Sequence, residues 1–96
     1  KLFGAEPVDA RVVKDRNRVT GAGVTAGLDM GLTLLAELRD QTYAEGVQLI
    51  AEYAPQPPFN AGTPRSAPLH VKTIIEAMFV GFPGMVKESA QRIAAQ

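Results

Sequence analysis

The run Gly21-Ala22-Gly23-Val24-Thr25-Ala26-Gly27-Leu28-Asp29 constrains this chain more than any other stretch. It reads as the end of a strand, a glycine-rich turn and the first turn of a helix. Glycine permits positive φ and close backbone approach. Such a junction sets backbone N–H groups at the carboxyl end of a sheet, where α/β folds place their sites. Thr25 suits the N-cap, because its hydroxyl can accept a free N–H of the first turn. Asp29 sits early in the helix, where its charge opposes the positive end of the dipole. Leu28, Leu32 and Leu35 line one face of that helix, and Met30, Leu34 and Leu38 another. A helix apolar on most sides has to be buried. Gly27 and Gly31 lower helix propensity, and their spacing predicts that another backbone packs closely there.

Before the turn, residues 8–14 carry a strand signal, with Val8, Ala10 and Val12 alternating with Asp9, Arg11 and Val13. Asp15-Arg16-Asn17 reads as a turn, with Asn17 the residue expected at positive φ. Arg18-Val19-Thr20 returns as a short strand and completes a hairpin. The favoured Asp-Gly pair is missing from it.

After the glycine-led helix, Arg39-Asp40-Gln41 separates it from a second. Thr42-Tyr43-Ala44-Glu45 has capping-box spacing. Val47, Ile50 and Ala51 then fall on one face, up to Tyr53. Residues 54–68 hold Pro55, Pro57, Pro58, Pro64 and Pro68, so this stretch is an extended loop. Pro68 suits the first position of a third helix, whose apolar stripe is Val71, Ile74, Ile75 and Met78. Gly81-Phe82-Pro83-Gly84 interrupts it. A last helix resumes at Met85, with Val86, Ser89, Ala90 and Ile93 on one side.

Composition excludes several functions. Ten basic and ten acidic side chains cancel, so nothing points to nucleic acid. There is no cysteine, which removes disulfides, thiolate nucleophiles and cysteine-ligated zinc from this chain and fits a reducing, cytoplasmic setting. No apolar run approaches the ~18 residues that would span a bilayer, so no membrane partner is expected. His70 is the one histidine and has no companion at a telling spacing. Glu37, Glu45 and Glu52 read as a solvated face, Asp15, Arg16 and Arg18 as a wet hairpin tip, and Tyr43 and Tyr53 as packing residues. The glycine turn lacks the spacing of a dinucleotide fingerprint, and no Walker lysine follows it. No metal site, cofactor or catalytic residue is expected within the chain.

The inventory of elements is unbalanced. One hairpin and three or four helices cannot cover a helix that is apolar nearly all round, and two strands alone are rarely stable. The simplest account is that the chain is part of something larger, or is completed by a partner subunit.

Three stretches carry a family resemblance. They are Val12-Val13-Lys14-Asp15-Arg16-Asn17-Arg18-Val19-Thr20-Gly21, then the glycine turn through Leu32-Thr33-Leu34, then residues 47–64, which end Glu52-Tyr53-Ala54-Pro55-Gln56-Pro57-Pro58-Phe59-Asn60-Ala61-Gly62-Thr63-Pro64. Together they resemble the C-terminal portion of the PfpI/ThiJ family, and within it the isocyanide (isonitrile) hydratases. The resemblance runs over residues 4–68, roughly two-thirds of the chain.

The resemblance implies an α/β fold: the C-terminal half of a flavodoxin-like three-layer sandwich, with residues 1–96 as part of a single domain. It implies that the nucleophilic cysteine and the general-acid carboxylate lie in an N-terminal half, in the same or a separate chain, and that Lys1 to Gly4 is the tail of the helix after the cysteine. It implies hydration of a small-molecule isocyanide to an N-formamide, with the complete domain a homodimer. This chain would supply the substrate-pocket wall, Gly21, Gly23, Val24, Thr25 and Ala26, and would be inactive alone. Two alternatives stand beside this reading. One is a PfpI-like ligand-sensing domain of a transcription regulator, which the Pro-rich stretch and the lack of a basic helix-turn-helix oppose. The other is a non-enzymatic dimerisation piece with residues 79–85 as its interface. The chain departs from the family pattern at Arg16, where a glycine is usual, and at Ala22, which replaces the middle of three glycines. Beyond residue 68 the pattern fades into a more apolar stretch than the family's final helix.

Overall fold

Opposite residues 8–11 the returning strand has already become the glycine turn, so the hairpin is shorter than the alternation predicts. In the computed structural model, which describes residues 3–96, β1 spans Val12–Asp15 and β2 spans Arg18–Gly21. They pair antiparallel with Val12 opposite Gly21 and Asp15 opposite Arg18. One further bond, from Ala22 N to Arg11 O (2.9 Å), extends the ladder into the turn. The two-residue loop carries its positive φ on Arg16 (+58°) and not on Asn17. Positive φ at the first central residue alone is the sign pattern of a type II′ turn, one of the two that match strand twist. The expectation for Asn17 fell on the wrong residue of the pair.

Helix α1, Ala26–Leu38, is entered through three successive i→i+3 bonds onto the carbonyls of Gly23, Val24 and Thr25 (3.1–3.2 Å). Thr25 occupies the N-cap, but its backbone is already helical (φ −74°, ψ −20°) and its hydroxyl makes no capping bond. A capping side chain needs extended backbone at that position, and the tight entry denies it. The next cap does form, two places before where capping-box spacing puts it. Asp40 is extended (φ −167°) and its carboxylate accepts from Tyr43 N (2.7 Å), so Asp40 and not Thr42 starts α2, Gln41–Ile50. Helix α2 ends on Glu52 in the left-handed region (φ +49°). Glu52 N bonds Leu49 O (3.0 Å) and Tyr53 N bonds Gln48 O (3.1 Å). That bond pair defines a Schellman motif, here with glutamate where glycine is usual.

The chain divides into two units. In Pro7–Pro55, α1 packs against α2 and against both strands. Lys14 Nζ reaches Glu37 Oε1 (2.5 Å) and ties β1 to the end of α1, so Glu37 is not merely solvated. The buried residues are Ala26 (0% exposed) and Ala44 (6%). Leu28, Leu38 and Leu49 are exposed, and Ile50, which shares a face with Val47 and Ala51 in the sequence pattern, is 87% exposed. The burial that α1's composition demands is not met within this unit.

The other unit holds Gln56–Gln96 and the segment ending at Glu6. Of the expected N-terminal helix tail, Lys1 and Leu2 lie outside the described residues, and Gly4 has φ +73°. Residues 53–68 form no helix or strand, as the prolines require. Thr63 and Ser66 close a small turn on each other's backbone and hydroxyls. Pro68 is the N-cap of α3, Leu69–Met78, one place before its expected position. The chain breaks at residues 79–81 on Gly81 (φ +88°). Phe82, Pro83 and Gly84, expected within the break, instead open α4, Phe82–Ala94. Phe79 and Phe82 meet edge-to-face across the break, with ring centroids 6.0 Å apart. Helices α3 and α4 do not pack on each other. Leu69, Ile74, Met78, Met85 and Ile93 are exposed.

The chain presents 8577 Å² to solvent. A folded monomer of 10.2 kDa presents about 5,300 Å², and two independent units of half that mass about 6,400 Å². Either reference leaves roughly 2,000 Å² or more of surface that an ordinary fold would have buried. No single helix among the described residues is long and apolar enough to cross a membrane; α3 and α4 would reach that length and composition jointly, and they are bent by 52° at their break.

Candidate functional site

The turn of residues 21–26 stands where β2 feeds α1. Gly21 closes the ladder, and the N–H groups of Gly23, Val24 and Thr25 donate no hydrogen bond among the described residues. These three consecutive donors stand where the positive end of the α1 dipole lies. Val24 is 99% exposed, and Gly21, Gly23 and Thr25 are exposed too, whereas Ala26 is wholly buried. Four of the five residues expected as pocket wall therefore face outward, and the methyl of Ala26 packs inward.

Neither Gly21 nor Gly23 has positive φ. A Cβ at Gly21 would make ordinary contacts with Ala26 (3.6 Å) and Met30 (3.7 Å), and at Gly23 it would meet open space. Nothing in this chain's own geometry requires glycine in the turn. The same holds for Gly27 and Gly31, which were expected under a packed backbone; a Cβ added at either would meet nothing within 4 Å. They instead form part of an open apolar groove of about 340 Å³ between α1 and α2, shared with Leu28, Leu32, Leu35, Val47 and Tyr53.

A polar cluster forms on Asp29, in the first turn of the helix that follows the glycine turn. Arg11 Nε donates to Asp29 Oδ2 (2.5 Å), and the Tyr53 hydroxyl donates to Asp29 Oδ1 (2.7 Å). The Tyr53 bond, and after it the Arg11 bond, holds the Asp29 carboxyl below the usual carboxylate range. The same carboxylate pushes the Tyr53 phenol up and raises Arg11 further. Asp29 was legible as a helix-start acid. Arg11 and Tyr53 were not legible as its partners. They lie 18 and 24 residues from it, and no local spacing rule links such positions. Tyr53, expected to serve packing, uses its hydroxyl. His70 lies exposed in the first turn of α3, and no group of three or more acidic or histidine side chains able to hold a metal ion occurs among the described residues.

A solved ThiJ/PfpI family protein from Pseudomonas syringae superposes on 99% of this chain with a TM-score of 0.83 and 56% identity. The chain is a ThiJ/PfpI family relative. It spans 38% of the length of that ThiJ/PfpI protein. It is also 55% identical over 66 residues to an isonitrile hydratase from Pseudomonas putida, a match covering 69% of this chain and 29% of that protein. No family model matches the chain. The hairpin and four helices are thus part of the α/β ThiJ/PfpI fold that the sequence resemblance implied.

Proposed function

We propose that this chain is part of an isonitrile-hydratase-like enzyme of the ThiJ/PfpI type, in which residues 21–26 form one wall of the substrate pocket. The observation that carries the reading is the 55% identity to the Pseudomonas putida isonitrile hydratase. The outward turn with three unused N–H groups and the open space over Gly23 support it, because a wall of that kind lets another backbone or a small substrate approach closely.

The chemistry needs a sulfur nucleophile, and the chain has no cysteine. A cysteine-bearing half, in the same or a separate chain, supplies it. The thiolate attacks the terminal isocyanide carbon, and an acid protonates that carbon to give a thioimidate, R–N=CH–S. Water then adds to the same carbon, the C–S bond breaks, and the N-formamide leaves with the thiolate restored. Within this scheme the chain supplies wall and helices, the completed domain acts on a small molecule as a homodimer, and the setting is cytoplasmic.

The test is a chimera in which this chain replaces its counterpart in the Pseudomonas putida enzyme. Formamide production from an isocyanide is expected from the chimera and not from the chain alone. A folded chimera that hydrates no isocyanide would overturn the reading.

A further inference from the structure

Arg11 holds the glycine turn twice: its carbonyl accepts Ala22 N (2.9 Å), and its guanidinium grips Asp29 in the first turn of α1. Tyr53 completes the grip from the end of α2, just past the left-handed Glu52. Asp29 also reaches forward, its carbonyl accepting the Thr33 hydroxyl (2.8 Å). Three segments distant in sequence thus converge on one carboxylate, which lies four residues past Thr25 and so moves rigidly with the turn's helical end.

We propose that Arg11, Asp29 and Tyr53 are positioning residues for residues 21–25, fixing where the N–H groups of Gly23, Val24 and Thr25 stand relative to whatever reacts in front of them. This rests on the reading of that turn as pocket wall. None of the three needs to touch substrate. Arg11 acts through a backbone bond and through Asp29, and Tyr53 acts through Asp29 alone. Both donors come from outside the turn and α1, one from the segment before β1 and one from the end of α2. A surface ion pair alone would be worth little. Here the aspartate is bonded on both oxygens and its side chain is only 30% exposed, an arrangement that fixes geometry better than an isolated pair does.

The test is amide hydrogen exchange on the full chain, comparing wild type with Tyr53→Phe. Exchange at Ala22, Ala26 and Gly27, whose bonds build the turn, is expected to quicken about fivefold, the scale of one lost hydrogen bond. Arg39 and Tyr43, bonded elsewhere in the same unit, should be unchanged, and Arg11→Lys should restore part of the protection that Arg11→Ala removes. Uniform quickening would mean a merely structural role, and unchanged turn amides would mean no role; either overturns the proposal. Should Tyr53→Phe fail to fold, the two Arg11 variants carry the same comparison. In the chimera, Tyr53→Phe should lower kcat with KM held. A chimera without activity, combined with localised exchange, would remove the isocyanide reading and leave the positioning role standing.

Discussion

The hydroxyl of Tyr53 donates to the carboxylate of Asp29 at 2.7 Å, joining the end of α2 to the start of α1. The bond closes a loop of 24 residues that contains both helices of the unit, so it reports whether those helices are docked. It also makes their docking depend on pH.

The folded-state pKa of Asp29 is depressed, first by Tyr53 and then by Arg11. A depressed carboxylate contributes stability that is complete above its unfolded value, near ~3.9, and is lost as pH falls through the folded value. Denaturant midpoints of the wild type should therefore be level above about pH 5 and fall below about pH 4, and Asp29→Asn should show a smaller fall. Equal acid sensitivity in the two proteins would contradict this.

The alkaline side carries the opposite sign. The Tyr53 phenol is raised by Asp29, so its contribution is complete below its unfolded value, about 10, and is lost as pH rises through the folded one. Near-ultraviolet absorbance should show one tyrosine ionising above the ordinary range, and Asp29→Asn should return it there. A Tyr53 titration within the ordinary range in the wild type would be the contrary result.

Arg16 holds a left-handed backbone (φ +58°) in the hairpin loop, which costs a side chain with a Cβ about 1–2 kcal/mol. Arg16→Gly should raise stability by about 0.5–1 kcal/mol after glycine's greater unfolded entropy is counted. The lost contacts to Asp15, at 3.2 and 3.3 Å on an exposed tip, should matter little. Urea denaturation with an unchanged slope and a higher midpoint would be the sign. A lower midpoint would show that the arginine side chain matters more than its backbone strain.

Glu52 presents the same situation at the end of α2 (φ +49°). Glu52→Gly should stabilise by about 1 kcal/mol and Glu52→Val should destabilise by a similar amount. The pair of variants separates backbone strain from loss of the carboxylate, since both remove the charge.

Asp40→Ala should lose about 0.5–2 kcal/mol with the cap of α2, whereas Thr42→Ala should be nearly neutral. Thermal melts of the two variants discriminate the observed cap from the one that spacing suggests.

These corrections show what was legible. The helices were, because α1 carries apolar residues on most of its faces and Pro68 and Gly81 punctuate the later ones. The hairpin was, because Val12 to Thr20 reads out and back. The glycine turn was, because its composition is local. The cap of α2 slipped by two residues and the left-handed position by one, since Asp40 and Thr42 are both good caps and Asn17 is a better left-handed candidate than Arg16. The support of the turn was illegible for a different reason. Arg11 and Tyr53 meet Asp29 only after both helices have docked, and no local pattern encodes such a meeting. The closeness expected at Gly27 and Gly31 was absent because no element among the described residues of this unit fills that space.

The full burial of Ala26 has a consequence for tolerance to change. In an ordinary domain a substitution library scored for folding is harshest on large apolar positions. Scored on this chain alone, it should be harshest on two alanines, at 26 and 44, the buried side chains among the described residues. Leu38, Leu49 and Ile50 should accept polar replacements freely. Repeating the library in the presence of a candidate binding polypeptide would then map the interface directly, as the set of leucines and isoleucines that become intolerant.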